Sequence, residues 1–159
     1  MGKFVIFVAG LVLGVLGVLG FAVVAGPSMM IHEHLSPFGL EETVEKISQN
    51  ATDNGWVVAG VKPLDKSVAK HGGGKILPVR LIDLCQANHA AKILSQDDER
   101  FVSVMMPCTI SVYEKEDGNV YIAHVNAGLM GSLFGGTIAE VMGGPVSEEQ
   151  NRFVEFAQD

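Results

Sequence analysis

Two cysteines, Cys85 and Cys108, are all that 159 residues contain, and neither belongs to a Cys-x-x-Cys or Cys-x-x-Cys-His run. That argues against thioredoxin-like exchange and against covalently attached haem of the c type. There is no Gly-x-Ser-x-Gly elbow, so the His71-Gly-Gly-Gly stretch is not the oxyanion element of a lipase-like hydrolase. No Gly-x-x-x-x-Gly-Lys-Ser/Thr loop is present for phosphates. Positive charge is also scarce. The formal net charge is −7, and −8 once Lys3 is set apart, which argues against nucleic acid and anionic lipid surfaces as partners.

Charge is absent altogether from residues 4 to 26, FVIFVAGLVLGVLGVLGFAVVAG. This length suffices for a hydrocarbon layer of about 30 Å. The sequence therefore predicts a membrane anchor over 1–27 and a folded domain over 28–159. A cleaved signal peptide is the competing reading, but such apolar regions usually run about 7–15 residues. Gly10 and Gly14 form a GxxxG pair that would allow helix pairing. Lys3, the only charge before Glu33, places the N-terminus inside and the domain outside the cytoplasmic membrane, periplasmic in a Gram-negative cell. The expected localisation is a single-pass membrane protein.

Past the apolar run, Met29–Leu35 reads as a strand, with Met30, His32 and His34 on one face and Ile31, Glu33 and Leu35 on the other. Leu40, Val44, Ile47 and Ala51 recur at helical spacing over 39–53, with Glu41 and Glu42 at the favourable end of the dipole. Strands follow at 56–61 and 76–85, a short helix at 65–70, and a helix at 88–94 capped by Asn88. Residues 101–112 and 120–125 read as a hairpin about Asp117-Gly118, with Cys108, Ile110 and Val112 facing one way and Thr109, Ser111 and Tyr113 the other. Gly128–Gly144 is apolar and glycine-spaced, the expected contact surface for an apolar ligand or a partner. Helices at 137–142 and 147–157 close the chain, the latter with Ser147 and Gln150 in capping-box spacing. The order predicts an α+β two-layer sandwich, a small sheet with helices on one face, preceded by the transmembrane helix.

The stretches LEETVEKISQNATDNGWVVAG, KILPVRLIDLCQANHAAKIL and MMPCTISVYEKEDGNVYIAHVN, in this order and spacing, resemble the DUF302 family, also described as TT1751-like. The resemblance covers roughly 29–156. It implies a two-layer α/β domain that tends to form homodimers, and no established activity. Glu42, Thr43, Trp56, Pro78, Arg80, Asn88, Pro107, Cys108 and Tyr113 match family-like positions. His89 departs from the pattern, standing where the family often has proline, and so does the added apolar segment.

Three function classes follow. The first is an anchored extracytoplasmic binding or assembly domain, whose pocket lies between the sheet and the Gly/Met-rich segment. The second is metal or haem binding at Met30, His32 and His34, since imidazole with thioether or thiolate suits copper. Such a site needs further ligands, with Cys108, His124 or Met106 as candidates. The third is a small redox or hydrolytic enzyme with Cys108 as nucleophile and His124 as base. Cys85 and Cys108 could be a disulfide or two separate thiols. His71 and Lys75 could meet an anion, and Asp83, inside an apolar run, needs a partner, with Arg80 nearest in sequence.

Overall fold

The computed structural model describes residues 2–106 and 108–158, with the side chains at 3, 5, 22 and 24 outside the described residues. The expectations placed on Lys3 and Pro107 therefore lie outside them as well. The chain runs α1 (Gly2–Met30), β1 (Ile31–Leu35), α2 (Leu40–Asp53), β2 (Val57–Pro63), α3 (Leu64–Lys70), β3 (Val79–Cys85) and α4 (Ala87–Leu94). A 3₁₀ segment (Asp97–Met105) leads to β4 (Cys108–Glu114), β5 (Val120–Val125), α5 (Ala127–Phe134) and α6 (Gly136–Val141). A kinked turn (Met142–Val146), α7 (Ser147–Phe153) and a 3₁₀ turn (Glu155–Ala157) complete it.

The five strands form one antiparallel sheet in the order β1-β5-β4-β3-β2. Its inner face carries Ile82, Leu84, Ile110, Val112, Val120 and Ile122, all buried. Against it pack Leu40, Val44, Ile47 and Ala51 of α2, Ile93 of α4, Ile138 and Val141 of α6, and Phe153 of α7. Each such aliphatic or aromatic side chain contributes about 1.5–3 kcal/mol by leaving water. Period-2 alternation sets the register: β5 buries Val120, Ile122 and His124 while Val125 at its end is exposed. The β4–β5 turn falls at Asp117-Gly118, where Gly118 takes φ 79° and the Asp117 carboxylate accepts from the Asn119 N–H. The α+β two-layer arrangement with helices on one face is as the sequence predicts.

The membrane part of the prediction is corrected. The N-terminal run does not stop at Gly26; its helix continues through Pro27 to Met30 and leads straight into β1. Among the described residues no helix is long and apolar enough to cross a membrane. The transmembrane helix, the membrane-anchored function, the single-pass localisation outside the cytoplasm and the membrane as a partner are therefore withdrawn.

Smaller corrections follow from local chemistry. Residues 101–105 alternate like a strand but form the end of a 3₁₀ segment, with Asp97, Asp98 and Glu99 in its first turn and Val102 buried. Glu99 Oε1 accepts the Thr137 N–H at 2.9 Å, which ties this segment to α6. Gln86, not Asn88, caps α4, and no side chain caps α7 at Ser147, because the chain enters it already helical at Val146. Before α2, Ser36 Oγ accepts the Phe38 N–H and bonds the Thr43 hydroxyl at 2.7 Å.

Candidate functional site

Two clusters of metal-ligand side chains lie on the inner side of the sheet, and the sequence-predicted residues are divided between them. The first forms where β1 meets β5. His32 pairs directly with His124, and His34 pairs with Ile122. The alternation that buries Ile122 and His124 turns His32 and His34 to the same face, while Ile31, Glu33 and Leu35 are exposed. The ring centroids are 5.3 Å apart for His32–His124, 5.7 Å for His34–His124 and 6.3 Å for His32–His34. His124 is only 4 % exposed. Its Nδ1 lies 3.3 Å from the Val125 carbonyl oxygen. The Nε2 atoms of His34 and His124 are buried and, among the described residues, have no hydrogen-bond partner. Burial, then the neighbouring His32, holds His124 at about 4 and shifts His34 down in the same direction. Met30 stands next to β1 in the chain. It ends α1 and is exposed.

The second cluster surrounds a narrow cavity of about 40 Å³ between the sheet, α4, the 3₁₀ segment and the Met142–Val146 turn. Cys85 and Cys108 both line it, with Met105, Met106, Met142, His89 and Trp56. Its walls are almost wholly apolar. Both cysteines are free thiols, so the disulfide alternative is not realised. Burial, reinforced by Cys85, pushes the Cys108 thiol up to about 11. A shift in that direction favours the protonated thiol at neutral pH.

His89 and Trp56 are anchored on the cavity wall by one carboxylate. Glu149 Oε2 accepts the Trp56 Nε1–H at 2.7 Å and lies 3.1 Å from His89 Nε2. The Gln86 side chain in turn accepts the His89 N–H. The sequence marks His89 only as a departure from proline. Glu149 carries no local signal, since it reaches Trp56 across 93 residues.

Cys108 and His124 are not joined as nucleophile and base. Ile110, not Cys108, stands opposite His124, and among the described residues neither side chain hydrogen-bonds the other. As the side chains stand, no group of three or more His, Cys, Asp and Glu among the described residues is placed to hold a metal ion. The predicted His32, His34 and Cys108 set is thus split, with His124 joining the histidines and methionines joining the thiol.

The remaining candidates are structural or exposed. Asp83 pairs with Lys62 and accepts from Thr109 at 3.0 Å, while Arg80 bonds Glu41 and Asp65. His71 and Lys75 are exposed, and His71 Nδ1 contacts the Ser67 carbonyl of its own helix. In the glycine-rich segment Gly131, Ile138, Val141 and Met142 are buried, the last three in the chain's own hydrophobic core.

Comparison with known proteins agrees with this architecture. The crystal structure of an uncharacterized conserved DUF302 protein from Bacillus stearothermophilus is similar, with a TM-score of 0.71 at 17% identity, covering 82% of this chain and 99% of that one. At that identity the likeness concerns the fold. No curated protein matches the chain. A family model described as a domain of unknown function, DUF302, matches residues 32–155. With that match spanning most of its length, this chain belongs to the DUF302 family.

Proposed function

We propose that this protein binds a soft monovalent metal ion, copper(I) being the biological example, in the cavity between the sheet and the Met142–Val146 turn. One observation carries the reading: two free thiols and three thioethers line a single ion-sized apolar cavity. Thiolate and thioether sulfur select copper(I) over harder ions, and such an ion needs as few as two strong ligands. Cys85 and Cys108 would supply the thiolates, and Met105, Met106 and Met142 neutral sulfur. Each thiol that ligates releases its proton to solvent, so affinity rises with pH. A volume of about 40 Å³ suits an ion better than a ligand of the usual 300–1,000 Å³ class.

The test is an anaerobic titration of the reduced whole chain with copper(I) against a chromogenic chelator. About one equivalent should transfer to the protein, and Cys85→Ser or Cys108→Ser should weaken binding ~100-fold. Met105→Leu, nearly isosteric, should keep the fold and weaken binding less. Failure to compete with the chelator, or unchanged affinity in both cysteine variants, would refute the proposal.

A further inference from the structure

We infer that His32, His34 and His124 form a second metal site, selective for a divalent ion of the zinc or copper(II) class and independent of the thiol cavity. The first ground is the pair of orphaned nitrogens. Nε2 of His34 and Nε2 of His124 are buried and, among the described residues, unpartnered. Leaving a buried polar atom unsatisfied is costly, and native proteins rarely tolerate two side by side without an ion or ordered water between them.

The second ground is spacing. A zinc–nitrogen bond is about 2.0–2.1 Å, which puts the centroid of a ligating imidazole about 3 Å from the metal and two tetrahedrally disposed rings about 5 Å apart. The three centroid separations run from 5.3 to 6.3 Å. The rings are now stacked or tilted, at 18° to 38° between planes, and do not converge. Ligation therefore requires the rings to turn about their side-chain bonds until their nitrogens converge, and that rearrangement is part of the inference.

The third ground is tautomer. An Nδ1–H of His124 directed at the Val125 carbonyl leaves Nε2 as the lone-pair nitrogen. A backbone carbonyl in that position is the usual outer support of a metal-binding histidine. His32, only partly buried, is the ring through which an ion would enter. The strands fix the arrangement, because β1 and β5 hold His32 and His124 directly opposite.

The experiment titrates the whole chain with zinc while the imidazole nitrogens are followed by long-range nitrogen–proton NMR. Expected are shifts at Nε2 of His32, His34 and His124, with about one equivalent bound. His124→Asn and His32→Ala should each weaken binding ~100-fold, whereas Cys85→Ser and Cys108→Ser should leave it unchanged. His32, being partly exposed, keeps the test valid if His124→Asn unfolds. Absence of zinc-dependent shifts at these rings, shifts confined to His71 or His89, or loss of zinc binding in the cysteine variants would each overturn the inference. Because the thiol variants report only on the cavity, this result stands or falls separately from the copper(I) titration.

Discussion

Trp56 donates its indole N–H to Glu149 at 2.7 Å, which fixes the entry to β2 against α7 from opposite ends of the chain. The same carboxylate oxygen meets His89, so one side chain serves two partners on the cavity wall.

Replacing that carboxylate should therefore cost more than a single bond. Glu149→Ala strands a buried indole N–H and a ring nitrogen, and should lower stability by about 1–3 kcal/mol. Glu149→Gln keeps an acceptor for Trp56 and should lose less. Urea unfolding followed by Trp56 fluorescence, from the only tryptophan in the chain, compares the two directly.

Acid should act through the histidine face. The folded His124 imidazole sits at about 4, below its ordinary 6.5. Between those values the unfolded chain holds the extra proton, so stability rises with pH and is lost as pH falls from 6.5 toward 4. The full effect is roughly 3 kcal/mol, and His34, shifted the same way, adds to it. Denaturant midpoints measured across this range should fall with acid in the native chain, and much less in His124→Asn.

Close approach of α5 to the kinked turn gives a third test. A methyl group at Gly131 would lie 2.8 Å from Met142 Cβ and 3.0 Å from the Gly143 nitrogen, so backbone must move. Gly131→Ala should destabilise by about 1–3 kcal/mol. At Gly128 the nearest atom is the Ser147 hydroxyl at 3.3 Å, which can rotate away. Gly128→Ala should unfold at nearly the native temperature.

On the outer face, Lys62 first and then Thr109 hold the Asp83 carboxyl below the usual range against its own burial. Thr109→Val should move it back up, visible as a rise in the titration midpoint of the Asp83 carboxyl carbon by NMR.

Sequence reached furthest where contacts are local. The β4–β5 hairpin is legible from alternation and Asp117-Gly118, and α2 from Leu40, Val44, Ile47 and Ala51. The shared face of His32 and His34 follows from period two alone. Their meeting with His124 does not, because it depends on the first strand pairing with the last. The thiol cavity is likewise assembled from separate segments, β3, α4, β4 and the Met142 turn. Arg80 and Asp83 do not pair, because residues three apart along a strand point to opposite faces. The apolar run at 4–26 invited a membrane reading that the described helices do not bear out.

The sheet order also has a consequence in time. During synthesis β1 (Ile31–Leu35) leaves the ribosome long before β5 (Val120–Val125), the strand it joins. Until then its backbone donors and two of the three imidazoles await the chain's later half. Closing this edge requires a contact of long sequence separation, the kind that slows folding. An ion held early by His32 and His34 would find its third ligand only when the last strand arrives.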